Sequence, residues 1–265
     1  MNDKLMKDLP ESKMENEQSE ANQTPSLEYA EHLTEHKYIF TTMGWMALLY
    51  IPTLILSIAV SIYAGAVLKV EDMNSWFMDG DVTALLGIGM AIVTLPFVFY
   101  ATSTTPVTDK NRLLGLQPSI APKQLLSWGL ITAGFICVWW GVNATLEIET
   151  PEFMVGLKAT TDNVWLLFLA ICIVAPIFEE ILFRGFMFGR LEHTAIGKWG
   201  TLLITSLVFT FIHGQYNAVE LTMVFSLALL LGYSRLKTGN IYVPIFIHML
   251  NNTVSMVTLY LFEVV

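Results

Sequence analysis

The strongest constraint on this chain is its succession of apolar runs, each near the roughly 20 residues that carry a helix across a bilayer core. Seven can be marked, over about residues 39–68, 82–101, 125–146, 163–187, 199–215, 219–234 and 241–262. Backbone amides cannot stay unpaired in hydrocarbon, so runs of this length spell helices. Of the 265 residues, 54% are hydrophobic and 14% charged, against roughly a quarter charged in a soluble domain. The sequence therefore predicts an all-α, polytopic helical membrane bundle of about seven transmembrane helices. An eighth, short or re-entrant helix fits the same pattern. "DGD" before the second run and "LQPSIAPK" before the third are loop chemistry.

Residues 1–37 hold nine acids and four lysines with no hydrophobic period, too little apolar surface to offset the entropy of ordering. They read as a disordered, acidic, cytoplasmic tail. His32 and His36 stand four apart in that polar segment without further ligands and read as solvated. Beyond it the transmembrane helices divide into residues 38–158, which carry no motif, and 159–262, which carry the polar residues described next. Twelve of the fourteen Lys and Arg residues fall on the side of the tail and two, Lys69 and Lys158, on the other. The positive excess marks the cytoplasm, so the C-terminus is expected outside. A formal charge of −9 excludes nucleic acid as a natural partner. Cys137 and Cys172 lie in apolar runs and are expected as reduced packing residues.

One run is not purely apolar. "VAPIFEEILFRGFMFGR", residues 174–190, carries Glu179, Glu180 and Arg184 where each charge at mid-membrane costs on the order of 3 kcal/mol. Residues four apart on a helix are neighbours, so Glu180 pairs with Arg184 while Glu179 points elsewhere. Pro176 is expected to leave the carbonyl of Cys172 without its helical donor. "GFMFG", residues 185–189, suits a close helix approach within the bundle. Two later runs add polar groups: "FTFIHGQ" places His213 four residues after Phe209, and "FIHMLNNT" places His248 four before Asn252. At about 1.5 Å per residue, Glu179, His213 and His248 lie within roughly 10 Å of one depth, in the cytoplasmic half to midplane.

A carboxylate without a cation partner among apolar side chains can take a proton from water near neutral pH. A histidine can orient that water. A second histidine and an asparagine amide can donate to the oxyanion formed when water attacks a peptide carbonyl. The same Glu and His residues could hold a divalent metal instead, with zinc the usual choice. The chain has no HExxH, no GxSxG and no aspartate inside the runs, which removes zincin, serine-elbow and aspartyl-pair chemistry.

Glu179-Glu180-x-x-x-Arg184, Phe209-x-x-x-His213 and His248-x-x-x-Asn252, in that order over about residues 160–258, resemble the three motifs of the CAAX prenyl endopeptidase and bacteriocin-processing family, also called the Abi family. The resemblance implies an all-helical intramembrane endopeptidase. It implies that Glu179 activates water with His213, that His248 and Asn252 form an oxyanion hole, and that Glu180 and Arg184 hold their helix in register. Family members are described both as metalloproteases and as metal-independent glutamate proteases. The second is favoured here, with no cofactor required, because one of only two histidines is better used on the oxyanion.

Two other classes are compatible with intramembrane Glu and His. A proton-coupled transporter would spread polar groups along several helices, whereas here they converge on one level. A non-catalytic scaffold or immunity protein would use Glu180 and Arg184 for packing but leaves Glu179, His248 and Asn252 without a task. The expected partners are the lipid bilayer and a membrane-associated peptide or protein substrate. The expected location is a bacterial plasma membrane.

Overall fold

The computed structural model describes residues 37–107, 109–116 and 120–262. The expected tail, with His32 and His36, lies outside the described residues. Among the described residues there are ten helices and no strand. Seven are long: α1 (Lys37–Leu68), α3 (Gly80–Ser103), α5 (Pro122–Leu146), α7 (Val164–Leu191), α8 (Gly197–Phe211), α9 (Ala218–Thr238) and α10 (Tyr242–Leu261). Three short ones sit in the connections: α2 (Met73–Phe77), α4 (Lys110–Leu114) and α6 (Glu152–Thr160). The seven apolar runs and the seven long helices coincide within a few residues.

Five of them, α1, α3, α5, α7 and α9, are long and apolar enough to cross a membrane. The fifteen residues of α8 rise only about 22 Å. The twenty of α10 include His248, Asn251 and Asn252, polar groups that face the protein and not lipid. Large apolar side chains such as Leu54, Ile55, Ile58 and Ile62 on α1 are about half exposed or more, as are Leu126 and Leu130 on α5. A row of this kind in water would be an unsatisfied patch. In lipid it is the outer wall of a multi-pass membrane protein.

The ends of the helices are written in side chains. Asp79 accepts from the backbone N–H groups of Asp81 and Val82 at the start of α3. At the start of α9, Asn217 and Glu220 close a reciprocal capping box. Gly239, in the left-handed region at φ 65°, ends that helix.

α7 is the axle of the bundle. In its most apolar stretch 39% of residues are buried, against 6% in α1. It packs on α1, α3, α8, α9 and α10. Met46 of α1, Val98 of α3, Phe183 and Phe186 of α7, Phe209 of α8 and Ala228 of α9 share one core cluster. A second joins Trp128 of α5 to Leu231 of α9 and Ile247 of α10. The free thiol of Cys172 is buried in a third, beside Met256 of α10, while Cys137 is exposed.

Three of the cations counted on the tail side are buried and structural. Arg184 is fully buried, and Arg190 and Arg235 are 3% exposed. Arg190 donates to the hydroxyls of Thr41, Thr42 and Thr105. Arg235 Nε donates to the carbonyl of Arg184 at 3.0 Å.

The glycines of "GFMFG" let α4 come close. A Cβ on Gly189 would lie 2.1 Å from the carbonyl oxygen of Leu113, whereas one on Gly185 would first meet the flexible Cδ1 of Ile241 at 3.0 Å. Gly189→Ala should therefore destabilise the protein by about 1–3 kcal/mol and Gly185→Ala by less. Thermal unfolding of both variants in a mild detergent checks the order.

Candidate active site

The site is built on a helix that is not a regular α-helix. In α7, residues Leu169–Val174 and Ile181–Met187 wind in the wider π register, on either side of the α-helical turn Ala175–Glu180. Such stretches are rare and gather at functional sites. The first one changes the effect of Pro176. The N–H of Ala175 bonds five residues back to Ala170, so the carbonyl opposite the proline ring is that of Ile171, not of Cys172. Asn252 Nδ2 donates to this Ile171 oxygen at 3.0 Å. A side chain of α10 thus replaces the missing backbone donor of α7.

The turn between the two π stretches presents Glu179 and Glu180 differently. Glu180 is fully buried, whereas the side chain of Glu179 is 19% exposed. One oxygen of Glu180 takes two partners, Arg184 Nη1 at 3.1 Å and His248 Nδ1 at 2.9 Å. Arg184 continues across the bundle, donating from Nη2 to the carbonyl of Ala228 in α9 at 2.9 Å. Its guanidinium lies 4.5 Å from the centre of the Phe209 ring, a geometry that favours a cation over an aromatic face. Phe209 also touches the rings of His213 and His248, with centroids 4.6 and 5.9 Å apart. The residues Glu180, Arg184 and Phe209 therefore form the floor on which the histidines stand.

His213 lies just beyond the end of α8. Its Nδ1 donates to the carbonyl of Phe209 at 2.7 Å, which leaves Nε2 as an acceptor. Its ring stacks on Tyr216, with centroids 6.2 Å apart and planes 7° apart. Burial, and then the charges of Glu220 and Glu179, push the Tyr216 phenol up to about 12, so it stays a neutral donor. His248 Nε2 faces Glu179 Oε2 at 3.9 Å, too long for a direct hydrogen bond.

Glu179, His213, His248 and Asn252 all line one cavity of about 390 Å³, together with Phe209. Glu180 and Arg184 lie behind its wall. The cavity reaches from the middle of α7 to the connections at residues 148–151 and 215–216. That is the end of the bundle with the acidic connections, so the cavity runs outward from the mid-helix level of Glu179. His213, just past the end of the short α8, is the member nearest that end. The spacing argument passed over Asn251, Tyr216, Glu149 and Glu220, which also line the cavity. Asn251 could have been singled out, as a second amide in an apolar run.

Among the described residues, no three His, Cys, Asp or Glu side chains converge closely enough to hold a metal ion. The Nδ1 atoms of both cavity histidines are already engaged.

Removing the cation from this floor should cost more than removing the charge at the cavity. Arg184→Met leaves Glu180 buried without its guanidinium and should destabilise the protein by about 3–5 kcal/mol. Glu179→Gln, at a partly open position, should cost well under half of that. Denaturation in detergent, followed by near-ultraviolet circular dichroism, compares the two.

Residues 161–254 match the family model described as type II CAAX prenyl endopeptidase Rce1-like. A 24.3 kDa Escherichia coli protein described as uncharacterized is 34% identical over 115 residues, 42% of this chain and 53% of that protein. YdiL of Bacillus subtilis (strain 168), described as a candidate membrane peptidase, is 36% identical over 136 residues, 46% of this chain and 52% of that protein. The chain thus spans about half the length of the curated relatives it matches. No solved structure matches it significantly. Residues 161–254, which carry Glu179, His213, His248 and Asn252, are thus similar to the Rce1-like, type II CAAX prenyl endopeptidase family.

Proposed function

We propose that the protein is an intramembrane endopeptidase that hydrolyses a peptide bond of a membrane-associated peptide or protein. The observation that carries this reading is that Glu179, His213, His248 and Asn252 line one cavity. In the proposed reaction, Glu179 takes a proton from water while the oxygen attacks the carbonyl carbon. His213 Nε2 accepts from that water and fixes its direction. The carbonyl becomes an oxyanion, held by His248 Nε2–H and by the second N–H of the Asn252 amide, whose first serves Ile171. When the C–N bond breaks, Glu179 returns its proton to the leaving amine.

A zinc-activated water is the alternative within the same family. The donor set supports it less, since both histidines and a glutamate line the cavity without converging on one point. We also propose that the first helices shape the entrance for the substrate and that the tail is cytoplasmic. With the buried Arg184, Arg190 and Arg235 set aside, nine cations against two still mark that side. The cavity then opens toward the outer face of a bacterial plasma membrane, which suits maturation of an exported peptide or immunity to a bacteriocin. A prenylated substrate is not required.

Purified protein in detergent should cleave some members of a panel of membrane-proximal peptides. Glu179→Gln should lower kcat by roughly 10²- to 10⁴-fold, and a strong chelator should leave the wild-type rate unchanged. A rate lost to chelation and restored by zinc would establish the metal-dependent alternative. An effect in cells that survives Glu179→Gln would establish a scaffold.

A further inference from the structure

The stretch from His248 to Asn252 holds two amides, not one. Asn251 precedes Asn252 on α10, lines the same cavity and is 5% exposed. The reaction described above leaves it without a task. The two side chains are linked: Asn251 Nδ2 donates to Asn252 Oδ1 at 3.3 Å, and Asn252 Nδ2 donates to the carbonyl of Ile171 at 3.0 Å.

The orientation of both amides follows from Ile171. A backbone carbonyl can only accept, so the end of Asn252 turned toward it is the nitrogen and the opposite end is the oxygen. That oxygen can only accept as well, so Asn251 meets it with its own nitrogen; a reversed Asn251 would set two oxygens against each other. This order leaves one atom unanswered. Asn251 Oδ1 is buried and, among the described residues, has no hydrogen-bond partner. Packing alone gives no reason for such an oxygen, since a leucine of nearly the same shape fills the space without it.

We propose, resting on the protease reading above, that Asn251 is a positioning residue that fixes the plane of the Asn252 amide. A single hydrogen bond, to Ile171, is an axis about which that amide can turn. A second one, at the opposite end of the amide, stops the turn. The free N–H of Asn252 points within this plane, and a donor stabilises an oxyanion only when it is aimed at the place that the oxygen reaches in the transition state. Asn251 acts through Asn252 and needs no contact with the substrate.

The test uses the full chain in detergent micelles as wild type, Asn251→Leu, Asn251→Ala, Asn252→Ala and the double variant Asn251→Leu with Asn252→Ala. Because the oxyanion forms only along the reaction, Asn251→Leu should lower kcat about tenfold and leave KM within about twofold. On the Asn252→Ala background the same substitution should change kcat by less than about twofold, as residues that act through one donor do not add. Asn251→Leu should unfold at a temperature no lower than wild type, because it removes the unanswered oxygen.

Binding supplies a readout without turnover. A peptide with a phosphinate in place of the scissile bond mimics the oxyanion, and one with a reduced amide does not. With a strong chelator present, Asn251→Leu should bind the phosphinate about tenfold more weakly than wild type and the reduced amide equally well.

An unchanged kcat in Asn251→Leu, a tenfold loss that persists on the Asn252→Ala background, a change in KM in place of kcat, or equal binding of the phosphinate by variant and wild type would overturn the proposal. So would a large fall in unfolding temperature in both Asn251→Leu and Asn251→Ala, which would make Asn251 a packing residue. Cleavage and binding separate the two readings. A phosphinate affinity that depends on Asn251 without cleavage of any peptide defeats the protease reading alone. Cleavage by wild type and Asn251→Leu at equal rates defeats the positioning role alone. A wild type that neither cleaves nor binds the phosphinate defeats both.

Discussion

A single carboxylate oxygen holds the membrane core together. Oε1 of Glu180 is shared by Arg184 of its own helix and His248 of α10, and Arg184 passes the link on to the backbone of α9. Charges at this depth persist only when their partners are built in, because desolvation outweighs an imperfect pair. The network therefore fixes the relative positions of α7, α9 and α10 within the length of a hydrogen bond. Two of these helices, α7 and α10, carry Glu179, His248 and Asn252, so the precision demanded by burial becomes available to the cavity.

The wide turns of α7 serve the same end. A regular α-helix would have freed the carbonyl of Cys172, whereas the π register moves the opening to Ile171, where Asn252 donates. In the second π stretch the carbonyl of Arg184 also accepts from a side chain of another helix, Arg235 of α9. Proline, usually read as a kink, here creates a socket for an amide.

Much of this was legible in the sequence because lipid makes helices out of apolar length. The i,i+4 spacing of Glu180 and Arg184 placed that pair. The link from Glu180 to His248 was not legible, since nothing in a spacing pattern tells which of two adjacent carboxylates a distant histidine will meet. The π register was hidden as well: periodicity over a few residues does not separate it from an α-turn, and only the Ala175 to Ala170 bond identifies it. The short α8 was not legible either, since the apolar run continues past its end at Phe211 to residue 215. Glu149 and Glu220 reach the cavity from a loop and a helix cap brought there by tertiary packing, which leaves no mark on the local sequence.

The short α8 has a consequence for the surrounding lipid. Its rise of about 22 Å falls short of a hydrocarbon core of about 30 Å, and a protein meets such a mismatch by thinning the bilayer beside it or by drawing headgroups inward. His213 and Tyr216, which follow its end, then sit where the hydrophobic slab is locally interrupted. On the proposed reading, this dip is the place where water and a peptide held in the headgroup layer would enter the cavity without first crossing the oil.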